Sequence, residues 1–236
     1  MRAAVLIFPG TNADAEMVRT LRDVMHVPTT VAWHTERELP ADVDLVAIPG
    51  GFSYGDYLRC GALAASSPIL AALARFAQQG GFVLGVCNGF QILTEAGLLP
   101  GALTRNTHLR FECRDVYVRV DGVGPFTPER GRVLRLPIAH GEGAYTADER
   151  TLGALEREGA VALRYCDCAG ASSPGSNPNG SLRNIAGIYG GRARNVLGLM
   201  PHPERMSESL HGGDDGRRLF EAVVQSVARR STGTVG

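Results

Sequence analysis

No apolar run in this chain of 236 residues approaches the roughly 20 residues a helix needs to cross a bilayer. Its hydrophobic content of 44% is that of a soluble globular protein rather than a membrane bundle. Charge of one sign is missing too. Twenty-four basic residues balance 24 acidic ones, the formal net charge is +0, and no basic field argues for nucleic acid. The five cysteines (Cys60, Cys87, Cys113, Cys166 and Cys168) are an odd number without a Cys-x-x-Cys, which argues against a disulfide framework or a zinc site. A Gly-rich phosphate loop of the Walker type is absent, so ATP is expected to be used elsewhere. There is no repeat and no long linker, which predicts one domain over residues 1–230 and a frayed tail at 231–236. The amino terminus is basic and then apolar, but Pro9-Gly10 ends the apolar stretch early, and a first strand is the better reading than a signal peptide.

The chain instead alternates short apolar runs with helical patterns. Strands are predicted at 4–8, 29–33, 45–48, 82–86, 116–120, 133–138, 160–164, 185–189 and 196–200, and helices at 14–25, 62–79, 89–95 and 215–229. In the first helix Met17, Val18, Leu21, Val24 and Met25 share one face, so they are assigned to the core. The amino-terminal half predicts a mainly parallel α/β sheet with helices on both faces. From residue 104 to 200 the strand-rich pattern predicts antiparallel additions to the same sheet, with 169–181 as a surface loop. Ligands bind at the carboxyl ends of parallel strands, so the loops leaving those ends are where a site is expected.

Gly85-Val86-Cys87-Asn88-Gly89 lies between the apolar Phe82-Val83-Leu84 and the helical Phe90-Gln91-Ile92-Leu93. Gly-x-Cys-x-Gly at a strand-to-helix turn has the geometry of a nucleophile elbow with sulfur in place of oxygen. The turn is sharp and strained, so small residues are needed two before and two after the nucleophile. The helix starting there points its N–H groups at the sulfur and favours thiolate. A thiolate nucleophile needs a base and an orienter. After the strand Val196–Met200 comes Pro201-His202-Pro203-Glu204, where His202 and Glu204 lie two apart and share one side of an extended chain. Asp44-Leu45-Val46-Ala47-Ile48 ends in Pro49-Gly50-Gly51, whose backbone can approach a ligand closely. The N–H groups of Gly51 and Asn88 are the candidate oxyanion donors. A buried structural cysteine and a plain Pro-Gly-Gly turn are the bland alternatives to each piece alone.

Pro49-Gly50-Gly51, Gly85 to Gln91 and His202-Pro203-Glu204 together resemble the class I, triad-type glutamine amidotransferases. Longer strings resemble one branch of that family, the glutaminases that serve the amination of formylglycinamide ribonucleotide in purine biosynthesis. These are Phe8-Pro9-Gly10-Thr11-Asn12, Pro49 to Arg59, His140-Gly141-Glu142-Gly143 and Asn177-Pro178-Asn179-Gly180-Ser181. The resemblance implies a flavodoxin-like single domain with a Cys87–His202–Glu204 triad and a Gly51/Asn88 oxyanion hole. It also implies a substrate site for L-glutamine at Gln91 and the His140-Gly141 backbone. Ala13 departs from the cysteine common in relatives, outside the triad. By the same resemblance this chain binds no cofactor and no metal. It docks on a large synthetase subunit that uses ATP and Mg, assisted by a small third subunit, in the cytoplasm. Rival readings are a cysteine hydrolase of other γ-glutamyl substrates, a glutaminase of another pathway, and a binding subunit with a vestigial triad. His140 is kept as a decoy base beside Glu142, while His26, His34, His108 and His211 are expected to be solvated. The charges at 148–150 and Arg217-Arg218 are expected on solvated or partner-facing surface, and Cys166-x-Cys168 is expected to be inert.

Overall fold

The computed structural model describes residues 1–232. In chain order the elements are β1 (Ala3–Ile7), α1 (Asp14–Arg19), β2 (Thr29–Trp33), β3 (Leu45–Ile48), α2 (Ile69–Gln78), β4 (Phe82–Val86), α3 (Asn88–Glu95), β5 (Ala102–Thr104) and β6 (Glu112–Val120). They continue with β7 (Val133–His140), β8 (Ala144–Thr146), α4 (Glu149–Arg157), β9 (Val161–Cys166), β10 (Ile185–Gly190), β11 (Val196–Leu199) and α5 (Arg217–Thr232). The main sheet has the order β2-β1-β3-β4-β11-β10-β9-β6-β7, while β5 and β8 pair separately. From β2 to β11 all pairings are parallel, and from β11 to β7 all are antiparallel.

The sequence pattern groups β11 with the antiparallel additions, but it pairs parallel with β4 on one side and antiparallel with β10 on the other. It is the hinge of the mixed sheet. The register Gly198↔Gly85 and Leu199↔Val86 sets the end of β11 beside the end of β4, so the residues after the two strands become neighbours. The inner strands β3, β4 and β11 are buried along their whole length, as parallel strands covered on both faces must be.

Two expected helices are interrupted for local reasons. The 62–79 pattern splits into a single turn at Ala64–Ser66 and α2, because Pro68 forces Ser67 to an extended conformation, φ −68° and ψ 144°. The first helix passes at Thr20 into a wider π turn, Thr20–Val24, in which the Met25 N–H donates to the Thr20 carbonyl at 2.9 Å. Met17 and Leu21 are nevertheless fully buried, as their spacing requires. Helix α4 has no counterpart in the sequence pattern. Its cap is Asp148, expected to be a solvated charge, which accepts from the Thr151 N–H at 2.7 Å. Helix α5 runs through Thr232, and the rest of the expected tail lies outside the described residues. The segment 169–181 is not wholly a surface loop, since Asn179 and Ser181 are buried. Among the histidines expected to be solvated, His34 bonds the Tyr54 hydroxyl at 2.9 Å and His108 the Pro178 carbonyl at 3.0 Å.

Candidate active site

Cys87 is the residue between β4 and α3. Its φ of 53° and ψ of −106° are a strained conformation for a residue with a side chain. The strain is held from several sides. The Cys87 N–H donates to the Leu199 carbonyl at 2.8 Å, and the Cys87 carbonyl accepts from Phe90 and Gln91 at 3.0 and 3.1 Å. A Cβ at Gly85 would sit 2.7 Å from the Gly89 carbonyl oxygen, and one at Gly89 would collide with the Ile48 carbonyl. Both flanking glycines are therefore demanded by contact.

The loop after β11 brings the second component. The His202 N–H donates to the Pro137 carbonyl at 2.8 Å, which ties this loop to β7. The imidazole Nδ1 lies 2.6 Å from Glu204 Oε1, with both side chains buried. The other ring nitrogen, Nε2, is buried and has no hydrogen-bond partner meeting normal geometry among the described residues. Cys87 is its electrostatic neighbour. Burial by itself lowers the His202 pKa, but the Glu204 carboxylate and the Cys87 side chain overcome this and push it up to about 10. Gly50 is the spacer between nucleophile and base: a Cβ there would lie 2.6 Å from His202 Cε1 and 3.4 Å from Cys87 Cβ.

Helix α1 braces the third component. The Gly50 carbonyl accepts from the N–H groups of Asn12 and Ala13, both at 3.2 Å. In a trans peptide the Gly51 N–H then points to the opposite side, and it has no partner among the described residues. Asn88 N–H is a first-turn helical donor of the kind a helix leaves unpaired. Thr20, beyond the end of α1, reaches Glu204, whose carbonyl accepts from the Thr20 hydroxyl at 3.2 Å.

Cys87, Gly51 and His202 share a cavity of about 150 Å³ with Asn12, Phe52, Phe111, Ala139 and Arg205. The rings of Phe52 and Phe111 stack at 6.4 Å, and Cys87 Sγ is 3.8 Å from the Ala139 carbonyl oxygen. Not all expected site residues face this space. Gln91 is buried, with Nε2 donating to the Glu142 carbonyl at 2.6 Å and Oε1 accepting from Asn88 at 2.9 Å. Both ends of its amide are thus engaged in supporting the neighbouring loop. His140 turns into the interior instead of toward Cys87, with Nδ1 3.1 Å from Asn106 Oδ1. Burial, and then the charge of His202, lowers its pKa to about 4, so it is neutral near pH 7, and it is no second base because asparagines occupy both ring nitrogens. The Gly141 carbonyl accepts from the Asn106 N–H at 2.9 Å. Phe111, Ala139 and Arg205 carry no signal in the sequence, because strand pairing and loop position bring them here. Asn12 does lie in one of the family-like strings, although nothing in that string marks its role.

The profile of the CobB/CobQ-like glutamine amidotransferase domain matches residues 1–214. The chain belongs to this glutamine amidotransferase family. It is 52% identical over 232 residues to the phosphoribosylformylglycinamidine synthase subunit PurQ of Bradyrhizobium diazoefficiens, covering 97% of this chain and 99% of that protein. It is 53% identical to the subunit of the same name from Gloeobacter violaceus, covering 96% and 98%. Among solved structures, a chain of PurLQS from Thermotoga maritima matches with a TM-score of 0.83 and 39% identity, over 96% of this chain and 98% of that one. The glutaminase domain of Trypanosoma brucei CTPS, at 14% identity and a TM-score of 0.58, shares the fold. Within the amidotransferases, the chain thus belongs to the branch of these synthase subunits.

Proposed function

We propose that this chain is the glutaminase subunit of a phosphoribosylformylglycinamidine synthase. It hydrolyses L-glutamine to glutamate and ammonia, which the synthase uses to convert formylglycinamide ribonucleotide to formylglycinamidine ribonucleotide with ATP. The reading is carried by one arrangement: Cys87 beside a His202 whose far nitrogen is held by Glu204, in a cavity with the unspent Gly51 N–H.

In this reading the Cys87 thiolate attacks the side-chain amide carbon of glutamine. The C=O electron pair moves onto oxygen, where the Gly51 and Asn88 N–H groups receive it. As the tetrahedral intermediate collapses, the C–N bond breaks and His202 Nε2–H protonates the departing ammonia. The resulting γ-glutamyl thioester is attacked by water, whose proton passes to His202, and glutamate leaves as the sulfur departs. Glu204 holds the imidazole tautomer and stabilises the imidazolium. ATP and Mg act on the large synthetase subunit, and this chain needs no cofactor of its own. A small third subunit completes the assembly. Among the described residues no helix is long and apolar enough to cross a membrane. All five cysteines are free, which suits a reducing cytoplasm.

Rotation of the Gly50–Gly51 peptide is one route by which the partner could control the site. Two hydrogen bonds on the Gly50 carbonyl speak against that route, since rotation would break both. One oxyanion donor is then in place in the free chain, and the partner acts by docking. The test measures ammonia and glutamate released from glutamine and from a panel of γ-glutamyl peptides, by this chain alone and with its synthetase. Glutamine turnover stimulated by the loaded partner is expected. Peptide cleavage without glutamine turnover would replace this reading with that of a γ-glutamyl hydrolase.

A further inference from the structure

Two motifs without a place in the triad, His140–Gly143 and Asn177–Ser181, meet in the interior beside the site. Asn106 is fully buried and spends its whole amide there. Its Oδ1 accepts from His140 Nδ1 and from the Gly143 N–H, both at 3.1 Å. Its Nδ2 donates to the carbonyls of His140 at 2.9 Å and Arg110 at 2.8 Å. Asn179, also fully buried, donates from Nδ2 to the Gly143 carbonyl at 2.8 Å and lies 3.4 Å from His140 Nε2. These partners assign His140 the neutral tautomer with its proton on Nδ1. The Ser181 hydroxyl donates to the same Gly143 carbonyl at 3.3 Å.

Including the bonds from the Asn106 N–H and Gln91, every carbonyl from His140 to Gly143 accepts a hydrogen bond. The N–H groups of Gly141 and Glu142 have no partner among the described residues. A segment with its acceptors turned inward and consecutive donors left over is a wall that receives an anion. The wall follows directly on Ala139, whose carbonyl oxygen lies 3.8 Å from Cys87 Sγ, and Gln91 joins it one helical turn beyond the nucleophile.

We propose that Asn106 and Asn179 are positioning residues. By holding the carbonyls of His140, Gly141 and Gly143 in the interior, while Gln91 holds that of Glu142, they leave this wall presenting only N–H donors, to the carboxylate end of glutamine. The inference rests on the glutaminase reading above. Losing one buried amide from such a clamp costs about a factor of ten in what it positions.

The experiment compares L-glutamine with its α-amide, which lacks the carboxylate, using the full chain with its synthetase. Wild type is expected to favour glutamine in kcat/KM. In Asn179→Ala that preference should fall about tenfold, through KM for glutamine, with kcat for the two substrates changed by less than about threefold. Alkylation of Cys87 by iodoacetamide, which carries no carboxylate, should keep its wild-type rate. Ser181→Ala, a milder cut in the same clamp, should move the preference in the same direction by about threefold and stands in if Asn179→Ala does not fold. An unchanged preference in the folded variants would overturn the proposal. So would a loss shared equally by both substrates and by alkylation, which marks a merely structural role. If wild type hydrolyses neither substrate, the glutaminase reading has failed, and the clamp falls with it.

Discussion

Cys87 and His140 both stand at the end of a strand in one sheet, and they are held there by opposite means. In the parallel half, Cys87 is placed by contact. Gly85, Gly89 and Gly50 are each so close to backbone or to the base that no side chain fits, and the positive φ of Cys87 results from that crowding. In the antiparallel half, His140 is placed by polar pairing, with buried asparagines occupying both ring nitrogens. Contact leaves the reactive groups nearly unspent: among the described residues His202 Nε2 and the Gly51 N–H have no partner, and Cys87 Sγ reaches only the Ala139 carbonyl at 3.8 Å. Pairing consumes nearly every polar group, so His140 is inert although its side chain could serve as a base. Chemistry sits where sterics hold the residue and its hydrogen-bonding capacity is left for the substrate.

The largest break in this comparison is Cys87→Ala. Glutamine hydrolysis should fall by about 10⁵ or more, within the range seen when a covalent nucleophile is removed. The partner's reaction with added ammonia should survive, and an assay supplying each nitrogen source separately tests both halves of the statement. Glu204→Gln is expected next, with kcat reduced about 10³–10⁴-fold because the imidazole loses its enforced tautomer. This substitution also tests the raised pKa of His202. A group raised from 6.5 to about 10 contributes stability that is fully present below about pH 6.5 and is lost as pH rises through 10. Urea midpoints of wild type should therefore decline between those pH values, and those of Glu204→Gln should decline less.

His140 gives the opposite slope. Burial, with the His202 charge second, lowers its pKa to about 4, so the unfolded chain binds the proton first as pH falls below 6.5. Stability on the order of 2–3 kcal/mol should be lost between pH 6.5 and 4. In a His140→Gln variant that part of the slope should be missing; an identical slope would mean that His140 is charged in the folded protein. The smallest effect is assigned to Thr20→Val, which keeps shape but removes the hydroxyl bond to the Glu204 carbonyl and the contact with Ser207. A loss of about 1 kcal/mol, roughly fivefold in kcat, is expected without a change in KM. Unchanged kinetics would show that Thr20 steadies the fold alone and not the triad.

Legibility in the sequence divides along the same line. The Cys87 elbow can be read because steric demands restrict residue type, and glycine at 85 and 89 is a visible consequence. His202 and Glu204 can be read because their partnership is local, two residues apart after a strand. Asn106 and Asn179 cannot, because asparagine is common in loops and nothing near either one marks it as buried. Gln91 does stand one turn after Cys87, yet its amide is occupied by Asn88 and the Glu142 carbonyl. Helix α4 escapes a pattern reading because only Leu152 and Leu155 carry its buried face and Gly153 interrupts it.

The sequence by itself determined the nine strands of the main sheet, the strained turn at Cys87, the local His202–Glu204 pair and the close backbone at Gly50-Gly51, since each depends on residues within a few positions, whereas the short pair β5 and β8 left no pattern of its own. The tertiary structure decided what separates long stretches of chain. β11 was inserted beside β4, which brings His202 to Cys87. The start of α1 was set against Gly50, and two asparagines 73 residues apart (179 − 106) were closed around His140. Those contacts depend on sheet order and on burying each polar group with a partner, and these conditions are met only once the whole chain has packed.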